Sequence, residues 1–498
     1  MLNAILGSPA HDSALAESPA IAPALVMGEW RTGGPQAERV GPYVRRVVSR
    51  ATVANETMVH EAVRYAHHSA RQVAALAPAA RAEILERAAA GASRHRDEFA
   101  RLIALELGKP IKDGRGEMDR VADTFSVCAA EARRIGGDLL PVAGWARGIG
   151  NTALTYRAPA GVALAITPFN APANLLAHKL GASFAAGNTT IVKAPPQAPA
   201  VSAAIVALLL DAGAPIEAVQ LLHGGGDVGA ALCAAPEIAV ISFTGSAQTG
   251  AAVARAAGAK RLVLELGGNA ATIVCQDADV AHAAAVCART GYTNSGQSCI
   301  SVQRVYVERT RFEAFVAAFG KEVAALKVGD PLDPATDVGS MVDEEAAERV
   351  VTWAAEAAAG GATIASGGIR TGATVAPTIV VDPPADANVV TREVFGALVA
   401  LLPYDDFDDV LAACNGSRYG LQAGLFTQDI GRIVTAWREL EVGGLIVNGS
   451  SNFRLDHVPF GGVKDSGFGR ESPACMIEDY TVVKTLLLRG LSIWGTRS

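Results

Sequence analysis

Between residues 162 and 265 the chain alternates short apolar, β-branched runs with alanine-rich stretches. VALAITPFN (Val162–Asn170), TTIVKAPP, AVQLLHGGG and IAVISFTGS each run an apolar segment into a turn of Pro, Asn, Gly or Ser. Between them lie LLAHKLGASFAAG and VSAAIVALLLDAG, which have the length and composition of helices. Parallel strands need a crossover of helical length, and strands covered on both faces read as continuous apolar runs. The alternation therefore predicts an α/β fold with a doubly wound, Rossmann-like parallel sheet.

The flanks add to this frame. Residues 56–135 are helical in pattern: EAVRYAHHSARQVAAL and AARAEILERAAAGASRHRDEFARLIALELG space apolar residues three and four apart, and Gly108-Lys109-Pro110 ends a helix. From residue 269 a second α/β block begins, NAATIVCQDADVAHAAAVCARTG. The tail DYTVVKTLLLRG is a strand with no hairpin partner nearby. Such a strand pairs with another subunit or a distant segment, and RGIGNTALTYRAPAG (Arg147–Gly161) is a candidate for the same sheet.

Length and composition narrow the class. At about 150 residues per domain, 498 residues suggest two to four domains. A net charge of −7 leaves no basic excess, so neither a nucleic-acid partner nor an anionic membrane surface is expected. The first thirty or so residues lack a positive stretch ahead of an apolar one, and no run of about 18 apolar residues occurs; a cytoplasmic protein is expected. Seven cysteines, without a CxxC and away from the nine histidines, argue against a disulfide framework and against a metal site.

Four stretches carry chemistry. VQLLHGGGDVGAALC places Gly224, Gly226 and Gly229 between a strand and a helix, where a helix N-terminus can hold a pyrophosphate. No acid follows about 20 residues later, and three glycines also make a plain tight turn. FTGSAQTG offers a second such turn at Ser246. LVLELGGNA sets one acid, Glu265, in an apolar strand, where desolvation raises its proton affinity and suits a general base. GQSCIS sets Cys299 in a polar turn 34 residues on (299 − 265). Taken alone, Cys299 reads as a buried filler, a metal ligand, half of a disulfide or a nucleophile. The polar turn and its N–H groups would favour a reachable thiolate.

Taken together, TPFN, FTGS, LELGGNA, GQSCIS, TREVFGAL and PFGGVKDSGFGRE resemble, in this order and over roughly residues 25–490, the NAD(P)-dependent aldehyde dehydrogenase superfamily. The resemblance implies that Cys299 is the nucleophile, Glu265 the base that activates water, and Asn170 the oxyanion-binding amide. It implies NAD or NADP as cofactor, held by Thr167, Pro168, Phe169, Lys193, Gly226, Gly229, Phe243, Gly245, Ser246, Leu266, Gly267, Glu393 and Phe395. It also implies a cofactor-binding domain over 1–139 and 159–268, a catalytic domain over 269–477, and a small β arm for oligomerisation over 140–158 and 478–498. A homodimer or homotetramer is expected.

One departure bears on the cofactor. The family often carries an acid where this chain has Pro196, in Lys193-Ala194-Pro195-Pro196. Its loss removes repulsion against a 2′-phosphate that Lys193 could pair with, so NADP acceptance is expected. GQSCISVQR and SSNFRLDHVPFGGVKDSG look most like the branch of lactaldehyde, glyceraldehyde and phosphonoacetaldehyde dehydrogenases. They imply a small hydroxylated or anionic aldehyde and point to Arg120, Ser298, Ile300, Phe453, Arg454 and His457 as substrate residues. Ser298 supplies no fixed charge beside the sulfur, which counts against a phosphonate. The rivals are a dehydrogenase of aromatic or aliphatic aldehydes, a CoA-acylating enzyme, a cysteine hydrolase and a non-catalytic binding or structural protein.

Overall fold

The computed structural model describes residues 1–6 and 18–493; residues 7–17, part of the stretch read for a leader, and 494–498, the end of the expected arm, lie outside them. The alternating stretch forms the centre of an eight-stranded sheet. Its order is Gly467–Phe468, Arg261–Glu265, Ile238–Thr244, Val162–Ile166, Thr189–Lys193, Val219–Leu222, Ala24–Val26, Glu29–Arg31. The five strands from Arg261–Glu265 to Val219–Leu222 are mutually parallel, with Thr244 beside Glu265, Phe243 beside Ile166 and Ile166 beside Lys193. Their carboxyl ends thus finish side by side, which is where ligands bind in such sheets.

The crossover helices explain why the strands lack polar faces. Every residue of Pro172–Ala186 is buried, as are all but the last two of Pro199–Asp211. Each opens with proline in its first turn, where the missing N–H costs nothing, and the first closes on Gly187 at φ +88°. Upstream, four helices span Glu56–Ala74, Pro78–Arg94, Arg96–Leu107 and Ile111–Ala132. Gly108 ends the third at φ +72°, as its sequence context predicts.

A seven-stranded sheet forms the second block, ordered Thr363–Ser366, Thr378–Val381, Leu398–Tyr404, Arg304–Glu308, Ala271–Val274, Gln422–Phe426, Gly444–Val447, and parallel except at its first strand. The tail strand Thr481–Leu488 pairs antiparallel along its whole length with Thr152–Pro159 of the same chain. Leu154, Tyr156, Val483, Leu486 and Leu487 of this pair remain exposed.

Two features have no counterpart in the sequence reading. Ala20–Ala22, Val47–Thr52 and Gln36–Val40 form a separate small sheet. Gly467–Phe468 returns from the second block to pair antiparallel with Leu264 and Glu265. Among the described residues no helix is long and apolar enough to cross a membrane.

Candidate active site

The carboxyl ends of the central strands open onto a cleft of about 800 Å³. It is lined by all thirteen residues assigned to the cofactor from sequence, with Asn170 and Cys299 at its inner end. Its outer wall is built by two helix starts. Gly225 caps Gly226–Ala234, and a side chain at Gly226 or Gly229 would meet nothing within 4 Å, so the floor there is open. Ser246 caps Ala247–Ala257 and accepts from the Thr249 N–H. The first-turn N–H groups of both helices have no partner within their own helix. Between them, Thr167 Oγ1 and Thr244 Oγ1 are buried at the cleft wall without a protein partner. Two helix N-termini, two orphaned hydroxyls and a cleft of this volume match the needs of a dinucleotide.

Phe169 and Phe395 meet edge to face at 5.9 Å across the cleft. Phe395 takes φ +47°, so the turn after Glu393 is held in a strained form. Glu393 accepts from the Gly268 N–H at 2.9 Å. A Cβ at Gly267 would lie 2.3 Å from its carboxylate, which is why glycine sits there. Burial pushes the Glu393 carboxyl up to about 7 against the opposing pull of that N–H and of Arg349. Lys193, at the end of its strand, is buried; desolvation lowers its proton affinity and Asp227 partly restores it.

The cysteine turn is built by three successive left-handed residues: Asn294 at φ 51°, Ser295 at φ 56° and Gly296 at φ 72°. Only the last is free of a side-chain penalty. Hydrogen bonds hold the other two. Asp113 accepts from the Asn294 N–H, and Ser295 Oγ donates to Gly339 O. Gln297 clamps the turn to the Asp343 side of the cleft by accepting from Val342 N. The turn ends with Cys299 half-buried. The Asn170 side-chain amide reaches the same turn, donating to Gln297 O at 3.2 Å.

The polar surroundings do not stabilise a thiolate, contrary to what the turn composition suggested. Burial first, then the carboxylates Glu393 and Glu265, push the Cys299 thiol up to about 12, and Arg454 only partly opposes them. The reason is that the turn's polar groups are spent on Asp113, Asn170, Gly339, Val342 and Asn452, while two acids act on the sulfur.

Glu265 ends its strand 3% exposed, and both carboxylate oxygens lack hydrogen-bond partners. Desolvation, then the nearby Glu471 carboxylate, raise its proton affinity well above that of an ordinary glutamate. Arg454, Lys179 and Arg470 pull the other way. This is the environment expected of a base that trades protons with water.

The sequence-assigned substrate residues separate into distinct settings. Ile300 packs with Leu421 and Phe460 into a small apolar cluster against Cys299. Ser298 Oγ donates to Asn452 Oδ1 at 3.3 Å. Arg120 grips Asp456 with two hydrogen bonds of 2.8 and 2.6 Å. Arg454 is buried over the Phe460 ring at 4.3 Å, paired with Glu471 and in contact with His178. Phe453 and His457 are exposed. Asp456 also binds Asn174 and His178, and its cationic neighbours hold its carboxyl well below the usual range.

Several residues of the site escaped the sequence reading. Arg349 and Trp353 line the cleft from the helix Glu344–Ala359, with the guanidinium 5.7 Å from the indole centre. Lys179 pairs with Glu471 at 3.1 Å, fully buried. Nothing in the local sequence distinguishes these from ordinary helix residues.

Comparison with known proteins agrees with this geometry. Residues 30–486 match the model of the aldehyde dehydrogenase family. A 3-sulfolactaldehyde dehydrogenase of Priestia aryabhattai is 41% identical over 464 residues, covering 93% of this chain and 97% of the relative. The structure of aldehyde dehydrogenase 21 from Physcomitrella patens, in complex with the reaction product succinate, superposes with a TM-score of 0.93 at 32% identity, covering 96% of this chain and 100% of that one. An NADP-dependent glyceraldehyde-3-phosphate dehydrogenase from Bacillus halodurans, complexed with NADP, gives a TM-score of 0.91 at 31% identity, covering 94% and 99%. A cleft fit for a dinucleotide that reaches a cysteine, a buried acid close to that cysteine, and a match over almost the whole length mean that this chain belongs to the aldehyde dehydrogenase family.

Proposed function

We propose that the protein oxidises a small anionic or hydroxylated aldehyde to its carboxylic acid, with Cys299 as nucleophile, Glu265 as water-activating base and NAD(P)+ as oxidant. The observation that carries this is that Cys299, which lines the cleft, feels the charge of the buried, unpartnered Glu265 carboxyl behind it. Cys299 Sγ, once deprotonated, adds to the aldehyde carbon, and the carbonyl π pair moves to oxygen. Asn170 Nδ2 and the Cys299 N–H stabilise that oxyanion. When bound, the nicotinamide supplies the acceptor for the hydride that leaves the adduct as its carbonyl re-forms in a thioester. Glu265 then takes a proton from water, the water oxygen attacks the thioester carbon, and the C–S bond breaks to release acid and regenerate the thiol.

The charges beside the site support an anionic tail. Three cations, Arg120, Arg454 and Lys179, lie there, each ion-paired with Asp456 or Glu471. His178 is fully buried, and its proton affinity is lowered by desolvation and by Arg454. Relatives named for sulfolactaldehyde and for a succinate product fit this reading. Pro196, exposed at the cleft where an acid would repel a 2′-phosphate, supports NADP use, as does the NADP complex of a neighbour.

Apart from Gly467–Phe468, which crosses into the eight-stranded sheet, sheet membership among the described residues supports the division at 1–139 with 159–268, 269–477, and 140–158 with 478–498. The exposed apolar residues of the two-strand arm support a homo-oligomer held through it. The test is a screen of lactaldehyde, glyceraldehyde, succinic semialdehyde, phosphonoacetaldehyde, benzaldehyde and long aliphatic aldehydes with NAD+ or NADP+, read as reduced nicotinamide. Highest kcat/KM on the small hydroxylated or anionic aldehydes is expected. A lead for aromatic or long aliphatic ones overturns the substrate class, a requirement for CoA overturns the hydrolytic role of Glu265, and an NAD+ preference above tenfold overturns the reading of Pro196.

A further inference from the structure

We propose that Lys109, Asp113 and Glu117 form a polar rail that positions the two halves of the oxyanion-binding site, the Asn170 amide and the Cys299 turn, without touching substrate. The three are spaced four residues apart, so they lie on one side of the segment that enters and forms the helix Ile111–Ala132. None of them lines the cleft.

Lys109 and Glu117 are both buried and joined by a 2.6 Å ion pair. The pair brackets Asn170. Lys109 Nζ donates to Asn170 O at 3.2 Å, and Glu117 Oε1 accepts from the N–H groups of Ala173 and Asn174 at 2.8 and 3.1 Å. Those N–H groups belong to the first turn of the helix that begins just after Asn170. The backbone from the Asn170 carbonyl to the first turn of the following helix is therefore fixed from one ion pair.

Asp113 does the same for the cysteine turn. It accepts at 3.0 Å from the N–H of Asn294, the first of the three left-handed residues. Asn294 Nδ2 then spans the halves, reaching Asn170 O and Gln297 O, both at 3.1 Å. Asn170 Nδ2 returns to Gln297 O. Two carbonyls thus tie together the two groups that would hold the oxyanion, and both lead back to the rail. A strained turn persists only where its surroundings over-determine it. A buried ion pair adds little net stability over apolar packing, so the contribution of this one lies in geometry.

The proposal rests on Asn170 as an oxyanion donor, and the test separates the two ideas. Lys109→Met, Lys109→Arg, Asp113→Leu and Asn170→Ala are compared singly, and each rail variant is also combined with Asn170→Ala, using the best aldehyde of the screen. Lys109→Met and Asp113→Leu should each lower kcat and the rapid first burst of reduced nicotinamide by about ten- to a hundredfold, the scale of a misplaced catalytic group. KM for aldehyde and affinity for NADP+ should move less than about threefold. Lys109→Arg should restore most of the loss. In the Asn170→Ala background the rail variants should cost little more, because the group they position is gone. Losses that multiply fully in that background, or that fall on KM with kcat intact, would overturn the rail. Asn170→Ala with undiminished kcat would overturn the role of Asn170, and the rail with it. Should Lys109→Met not fold, Asp113→Leu, which keeps the size and removes the acceptor of the Asn294 N–H, carries the cycle alone.

Discussion

A thiol held near 12 makes a quantitative prediction about the free enzyme. At pH 8 its thiolate fraction is about 10⁻⁴, against about one tenth for the ordinary value of 9.0. That is a deficit of roughly a thousandfold. A less acidic thiol is also the better nucleophile, by a Brønsted slope of about 0.45, which returns roughly 20-fold over three units. Cys299 should therefore react with iodoacetamide roughly 50-fold more slowly at pH 8 than an unstructured cysteine peptide. Its rate should keep rising tenfold per pH unit beyond pH 10. The assay is peptide mapping by mass spectrometry after timed alkylation, following the Cys299 peptide alone. Glu393→Gln removes the carboxylate that most opposes the thiolate and should speed the reaction. A rate that levels off at or below pH 9, or that is unmoved by Glu393→Gln, would refute the reasoning that burial and two acids keep the resting sulfur protonated.

Cys299→Ala should abolish turnover while cofactor affinity, by fluorescence titration, stays within about 1 kcal/mol; residual turnover of more than a few percent would point to another nucleophile. Glu265→Gln should leave a rapid burst of reduced nicotinamide and slow the steady state by about 10²–10⁴-fold, the usual contribution of a general base; equal loss of both phases would contradict its role in hydrolysis. Glu393 binds its proton more tightly folded than unfolded, so its contribution to stability is full below pH 4.5 and is lost as pH rises through about 7. Over that 2.5-unit span (7 − 4.5) the loss is up to about 3 kcal/mol, and Glu393→Gln should flatten the slope of urea-unfolding stability against pH there. Arg454→Met should lower stability by about 3–5 kcal/mol, since it strips a partner from buried Glu471; an unchanged urea midpoint would mean that Lys179 alone suffices.

The chemistry was legible where it is local. Gly267, Gly268 and Gly296 lack a side chain because Glu393, the Cys299 carbonyl and the Gly396 carbonyl approach them in turn, and those glycines are written in the sequence. The alternation of strands and helices also carried the central sheet directly. The rail was not legible. KPIKDGRGEMDR has polar residues on every side of the helix, and only the packing against Asn170 and Asn294 selects Lys109, Asp113 and Glu117. Arg454 and Arg120 stood out as cations near a turn, but sequence could not show that Asp456 and Glu471 engage them. The thiol was misjudged for a related reason: a polar turn was equated with a stabilised thiolate, and its hydrogen bonds turned inward.

The strand that ends in Glu265 has one neighbour, Ile238–Thr244, which precedes it, and another, Gly467–Phe468, which arrives late. On the ribosome the interval is 202 residues (467 − 265), or about 10–40 s at ordinary elongation rates. Throughout that time the growing chain carries an apolar strand with one bare edge, the kind that recruits other strands. Its last position is Glu265, whose backbone gains its pairing with Gly467 only when the far segment arrives. Synthesis thus completes the hydrolytic half of the site last, and truncations before residue 467 should release a sticky intermediate rather than a smaller working enzyme.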